Sequence, residues 1–347
     1  MTRPGAGLRL AVAALLINAA AARQASGPWE PQRSGTTAGL RGVGAAGATV
    51  AWASGTGGTY LRTTDGGRTW RASVVPGADS LDFRDVHAFD AGTAVLMATA
   101  GRIYRTRDGG RGWTLAYANV REGIFLDGMA FWDERRGIAF GDPMPDRGGR
   151  FLVLLTGDGG ASWREVPADR LPPSLPGEAA FAASGTSIAV GATGMAWFAT
   201  GGATGTAAVA RVFRTEDGGE TWSVSDTPVP AGAGSRGIFS LAVAPDAAGA
   251  AGVAVGGDYQ APNEARDNVA LTQDGGRGWS LPRPGGGDPA AGRPGGYRSA
   301  VAYVPGSAGR ALVAVGTSGT DRSADGGATW ARVDTTAYNA VAFAPAA

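Results

Sequence analysis

An eight-residue phrase, TTDGGRTW ending at Trp70, returns five more times: TRDGGRGW at 106–113, TGDGGASW at 156–163, TEDGGETW at 215–222, TQDGGRGW at 272–279 and SADGGATW at 323–330. Its aspartates, Asp65, Asp108, Asp158, Asp217, Asp274 and Asp325, stand 43 to 59 residues apart. A fixed phrase at that period marks a repeat architecture, in which each unit buries its apolar face only against its neighbours. Between the phrases run short alternating or β-branched stretches such as ATVAWAS, GTYLRTT, TAVLMATA and RIYRTR, parted by glycine-rich turns. These predict strands, about four to a unit, and no helical period is sustained beyond the first residues. The fold expected is all-β, built from propeller blades.

Each phrase falls between two strands, where the chain must reverse. Its Asp carboxylate can accept backbone N–H groups of the turn that it opens. The paired glycines supply positive φ without steric cost. The closing Trp70, Trp113, Trp163, Trp222, Trp279 and Trp330 each offer a large ring to bury between neighbouring sheets. A calcium loop would need several oxygen ligands at alternate positions and a distal Glu. Each phrase has one recurring carboxylate, with Glu216 and Glu220 as isolated additions. The repeat therefore predicts scaffolding and no metal site.

These phrases match the Asp-box, or bacterial neuraminidase repeat, Ser/Thr-x-Asp-x-Gly-x-x-Trp, found in sialidases, sortilin-type receptors and photosystem II stability/assembly factors. The whole chain most resembles the last group and its bacterial relatives, and WASGTGGTYLRTTDGGRTW is similar to their blade cadence. The resemblance implies one propeller over 23–347. Six boxes define six blades. WEPQRSG at Trp29 resembles a strand that follows a box, and YNAVAFAP at Tyr338 resembles the first strand of another blade. Joining them would close a seventh blade and remove exposed edges. Seven blades, the last incomplete, is the expectation, and a six-bladed ring is the alternative.

Residues 1–22 read as an export signal: Arg3 and Arg9, the apolar run LAVAALLINAAAA, and small residues near Ala22. No stretch is long and apolar enough to predict a stable membrane span after its removal. The chain has no Cys, so neither a lipid-bearing cysteine nor a disulfide is expected. These features predict a periplasmic or secreted protein. Charge is balanced, 31 basic against 30 acidic residues, every basic one an Arg; a nucleic-acid binder would carry a basic excess.

Aligned by their first strands, the blades read LRGV, FRDV, LDGM, GEAA, FSLA, YRSA and YNAV. The second column holds Arg41, Arg84, Asp127, Glu178, Ser240, Arg298 and Asn339, all polar. Innermost strands line a propeller's channel, so alternation sends this column one way. It would form a polar ring, for recognition or merely for hydrating the channel. Asp142 in AFGDP, with Asp258 and Tyr259 in VGGDY, ends second strands on the same side. The boxes fall on the opposite side. Arg41, Arg84, Asp127, Asp142, Glu178, Asp258, Tyr259 and Arg298 are thus the candidate binding surface.

Enzyme classes thin quickly. His87 is the single histidine, which leaves no multi-histidine metal site and a triad without a nucleophile motif. No dinucleotide fingerprint sits between strand and helix, and no cofactor is expected. Sialidases pair three Arg with a Tyr nucleophile, a Glu and an acid Asp. Arg41, Arg84 and Arg298 with Tyr297, Tyr259, Glu178 and Asp127 would supply these types, but the Phe/Tyr-Arg-Ile-Pro motif is missing. The function expected is a non-catalytic module that engages a protein client through an Arg-containing face, in the manner that the resemblance to assembly factors implies. A sialidase-like glycosidase, with a carbohydrate ligand, is the alternative.

Overall fold

The alternating runs pair antiparallel with their sequence neighbours and form six separate sheets. The computed structural model describes residues 29–205, 208–244, 250–282 and 292–345. The expected leader, 1–22, lies outside the described residues. The described residues from Gln32 onward form one compact body. Blade one holds β1 (Leu40–Ala45), β2 (Ala51–Gly55), β3 (Thr59–Thr63) and β4 (Arg71–Val74), ordered as in the chain. Blade two follows with β5 (Phe83–Ala88), β6 (Ala94–Ala98), β7 (Arg102–Thr106) and β8 (Thr114–Ala118). Blade three has β9 (Leu126–Phe131), β10 (Gly137–Met144), β11 (Arg150–Thr156) and β12 (Arg164–Glu165). Blade four has β13 (Ile188–Val190), β14 (Ala196–Ala199), β15 (Val209–Thr215) and β16 (Ser223–Pro230). Among the described residues blade five has β17 (Arg236–Val243), β18 (Gly252–Asp258) and β19 (Val269–Thr272), with an isolated Leu271–Ser280 bridge beyond. Blade six has β20 (Ala300–Tyr303), β21 (Leu312–Gly316), β22 (Gly319–Ser323) and β23 (Ala331–Asp334).

Five apolar clusters lie where successive blades face one another. Trp52 and Tyr60 of blade one meet Phe83 and Leu96 of blade two. Val95 and Met97 meet Leu126 and Leu154 across the next interface. Phe140 and Phe151 meet Phe198 and Phe213. Trp197 and Val212 meet Ile238 and Ala254, and Val253 and Val255 meet Val301 and Ala314. Burying such side chains at about 25 cal/mol per Å² is the main favourable term in holding the blades together.

The boxes behave as turn scaffolds. In the first, the Thr63 hydroxyl donates to Asp65 Oδ1 at 2.8 Å and accepts the Gly67 N–H at 3.0 Å. Asp65 then accepts the Thr69 N–H at 2.9 Å and the Thr69 hydroxyl at 2.6 Å. Asp158 with Ser162, Asp217 with Thr221 and Asp325 with Thr329 repeat both bonds. Asp108 and Asp274 keep the backbone bond to Gly112 and Gly278 alone. Donors from Thr69 hold the Asp65 carboxyl down at about 2. The carboxylates are thus occupied by their own turns. Two closing Trp residues show the reach to the blade before: Trp113 meets Tyr60 of blade one edge-on at 5.0 Å, and Trp222 joins the cluster that holds Ile138 and Phe151 of blade three.

The seventh blade does not form among the described residues, and the six-bladed alternative holds. Neither 29–34 nor 338–345 is a strand. The first and fourth strands of a blade are separated by two others, so these segments cannot ladder to each other directly. The Tyr338 N–H still donates to Gly316 O at 3.1 Å, as the Arg298 N–H does to Gly256 O at 3.0 Å where blade six begins. The register of a further first strand is therefore started and not continued.

Candidate binding face

Strand direction separates two ends of each blade. Leu40 at the start of β1 pairs with Gly55 at the end of β2, whereas Ala51 pairs with both Ala45 and Thr63 beside the box. The starts of first strands and the boxes therefore lie at opposite ends. At the first of these ends the structure adds something that the strand alignment did not show. Blade four's first strand is Ile188–Val190, about ten residues beyond Glu178, so GEAA does not open that strand as aligned.

The intervening residues, 179–187, cross the hub. Ala179 bridges Gly201, and Arg84 of blade two donates to Ala182 O at 3.0 Å. The Ser184 hydroxyl donates to Ser299 O beside blade six at 2.7 Å, and Thr186 shares a 2.7 Å hydrogen bond with Ser240 of blade five. Gly185, at φ +79°, passes so close to Asp85 that a Cβ there would stand 2.2 Å from the carboxylate oxygen. Only glycine satisfies both demands. Of the polar column, Arg84 and Ser240 bond to this segment.

The sequence-predicted residues divide into three groups around it. Arg84, Asp142 and Tyr259 adjoin the crossing segment. Arg84 is about one-quarter exposed and pairs with Asp82 at 2.6 Å. Asp142 Oδ1 accepts the Ala180 N–H at 2.8 Å, and burial raises its carboxyl to about 6. Phe181 stacks on Phe239 at 3.8 Å, and Phe239 meets Tyr297 at 4.8 Å and the half-exposed Tyr259 at 6.1 Å. Asp258 caps its own turn, accepting the Gln260 N–H at 2.9 Å, and stands 4.0 Å from Arg236.

Asp127, Glu178 and Arg298 are withdrawn from solvent. Both carboxylate oxygens of the fully buried Asp127 lack a hydrogen-bond partner among the described residues. Burial, then the nearby Asp142, holds that carboxyl well above the usual range. Glu178 Oε1 accepts Arg211 Nε at 2.9 Å and the Thr200 hydroxyl at 2.6 Å. Its Oε2 takes the Leu175 N–H at 2.8 Å together with Arg211 Nη2. Arg298, fully buried, donates Nε to Asp321 at 2.7 Å and Nη1 to Ser318 and to Tyr297 O, each at 2.7 Å.

Arg41 stands apart. Its Nη1 donates to Asn339 Oδ1 at 3.4 Å, and Asn339 donates in turn to Leu40 O at 2.9 Å. It lines a cavity of about 450 Å³ on the face of blade one. Its charge also acts on the Tyr297 phenol, which burial pushes up.

Two further groups went unmarked by the sequence. Asp85 accepts the Val86 N–H at 2.7 Å and the Met129 N–H of blade three at 2.8 Å. Burial outweighs these donors and raises it to about 7. Its place next to Arg84 in DFRDVHA was the available signal. Residues 179–187 carry no box and no alternation, so only their excess length hinted at a departure from the repeat. Burial against Phe89 and Phe131, 4.6 and 4.4 Å from its ring, holds His87 down at about 4.

No protein-family model matches the sequence, and no curated protein matches it. Solved propellers do match in shape. The structure described as YCF48 bound to D1 peptide superposes with a TM-score of 0.57 at 16% identity, over 88% of this chain and 86% of that one. YCF48 from Cyanidioschyzon merolae gives 0.57 at 16% identity, over 90% of each chain. An ancestral GH74 enzyme gives 0.54 at 16% identity, over 85% of this chain and 37% of the enzyme. At these identities the likeness is one of fold.

Proposed function

We propose that this propeller, which shares the fold of YCF48, is an exported peptide-binding module that holds a segment of a client protein against the face built around 179–187. The observation that carries the reading is the aromatic strip Phe181–Phe239–Tyr259, with Arg84 bonded to the same crossing segment. Phe239 is buried and supports the other two; the partly exposed rings of Phe181 and Tyr259 offer contact area at low entropic cost, and a partly exposed guanidinium offers a fork to a client carboxylate. One YCF48 structure is described as bound to a peptide, which agrees with this use of the fold. Export is part of the proposal and rests on the leader-like residues 1–22.

The glycosidase alternative has less to draw on. Glu178 is tied at both oxygens and Arg298 is committed to Asp321, which leaves neither for a substrate. Affinity capture from a periplasmic extract should yield a client whose peptides bind the purified protein. Arg84→Ala and Tyr259→Ala together should remove that binding with Tm unchanged. Turnover of a fluorogenic glycoside, lost in Glu178→Ala or Asp127→Ala, would overturn the reading.

A further inference from the structure

Two blades approach their boxes with nearly the same sequence. Blade two reads RIYRTRDGG over 102–110, and blade four reads RVFRTEDGG over 211–219. Arg105 and Arg214 therefore hold one place in the repeat, and Arg107 stands where blade four has Glu216. In blade four the Glu216 carboxylate accepts from Arg214 Nη1 and, out of the next box, from Arg277 Nη2. One acid thus neutralises two guanidiniums across the joint between blades four and five. The residue of the third box that matches Arg277 is Ala161. At the joint between blades two and three, the bridging acid is replaced by a second guanidinium and the long side chain opposite it by a methyl group.

A cavity of about 500 Å³ opens at that joint, with Arg105, Arg107, Asp108, Trp113, Ala116 and Ala161 in its lining. Neither Arg105 nor Arg107 forms an ion pair among the described residues. The buried Arg105 Nε and the buried Trp113 indole N–H have no hydrogen-bond partner there either. Burial and then the Arg107 charge hold the Arg105 guanidinium below its ordinary value, and Asp158 opposes them. Asp108 does not take the part of Glu216, because its Oδ1 accepts the Thr106 hydroxyl and the Gly112 N–H of its own turn, each at 2.9 Å. The Trp113 ring is held in place edge-on by Tyr60 at 5.0 Å and Trp52 at 6.2 Å, so this wall of the cavity is preformed.

We propose that this cavity binds a small organic acid, whose carboxylate bonds Arg105 and Arg107 as Glu216 bonds Arg214 and Arg277, and whose apolar body lies on Trp113, Ala116 and Ala161. The ligand class follows from the repeat itself, since the sister joint shows a carboxylate in the same place. A guanidinium fork matches a carboxylate with two parallel N–H bonds. A mostly apolar hollow with a few converging donors is what a small ligand needs, and the indole face supplies the larger part of the contact. The boxes lie at the opposite end of the blades from the face around 179–187, so either proposal can fail without the other.

The test is isothermal titration of the full chain with cinnamate, which should show one saturable site. Cinnamamide, which keeps the apolar body and loses the charge, should bind more weakly by about tenfold or more. Arg107→Glu copies blade four and should weaken cinnamate binding by about tenfold or more, with Tm unchanged or higher, because Arg105 then gains the partner that Arg214 has. Arg105→Gln should weaken it as much. Arg322→Ala, at the matching place in blade six, should leave it unchanged. No saturable heat, or an affinity indifferent to Arg107→Glu, would overturn the proposal. So would cinnamamide binding as tightly as cinnamate, which would leave an apolar hollow alone. Inorganic phosphate binding more tightly than cinnamate would overturn it too, by making the site one for a bare oxyanion.

Discussion

Individual carboxylates in this propeller have been driven in opposite directions, and pH should reveal both. The box aspartates, of which Asp65 and Asp158 are held at about 2, bind protons less readily folded than unfolded. Their contribution to stability is present above the unfolded value of 3.8 and lost as pH falls toward 2. Asp85, Asp127 and Asp142 are raised by burial, to about 7 and about 6 in the first and last. Their contribution is full below 3.8 and lost as pH rises through those values. His87, lowered from 6.5 to about 4, opposes them, since it favours the fold more as pH rises. One histidine offsets one of the three carboxyls, so the balance between pH 4 and 6.5 still falls. Urea unfolding across pH should therefore show greatest stability near about pH 4. Asp127→Asn should flatten the alkaline limb by about 1.4 kcal/mol per pH unit, one proton's worth. A maximum at pH 7 or above would contradict this account.

At the level of the element, each box couples a turn to the blade before it, and the value of its Trp depends on what lies beneath. Trp222, nearly buried, lies 4.9 Å from Phe198 in the cluster that also holds Ile138 and Phe151. Trp222→Ala should cost about 3–5 kcal/mol in urea unfolding. Trp70, partly exposed over Gln32, should lose less than half as much on the same change. Equal losses would mean that Trp70 is as well covered as its counterparts. The ion pairs inside the hub belong to this scale too. Glu178→Gln leaves Arg211 buried with one charge partner removed, a loss of about 3–5 kcal/mol. Arg84→Ala, at a partly exposed site, should stay within about 0.5 kcal/mol. Measured urea midpoints of the two variants side by side would check this division between holding the fold and meeting a client.

For the whole molecule, two places break the sixfold repetition. Residues 179–187 bond to blades two, three, five and six across the hub, through Arg84, Asp142, Ser240 and Ser299. Among the described residues, no apolar cluster joins blades six and one as clusters join the others. A joint with less apolar burial among the described residues opens more readily than the others. Hydrogen exchange should accordingly run fastest in β1 and β20, and slowest in β10 and β11 at the heart of the ring. Uniform protection in all six blades would show the joint to be closed.

The octets alone determined the strand period, the turn chemistry and the propeller, because an Asp-capped Gly-Gly turn and its Trp act within one blade and its neighbour. Six strand groups and the polar first-strand positions were legible for the same reason, and Arg41, Arg84 and Asp127 do stand on first strands. Which polar residues face solvent was not legible. Glu178 and Arg298 read like Arg84 in sequence, yet their partners Arg211 and Asp321 come from strands 33 and 23 residues away. The hub crossing was likewise decided by the tertiary structure. It depends on whether an over-long connection finds partners across the ring, and local periodicity carries no information about contacts at that separation.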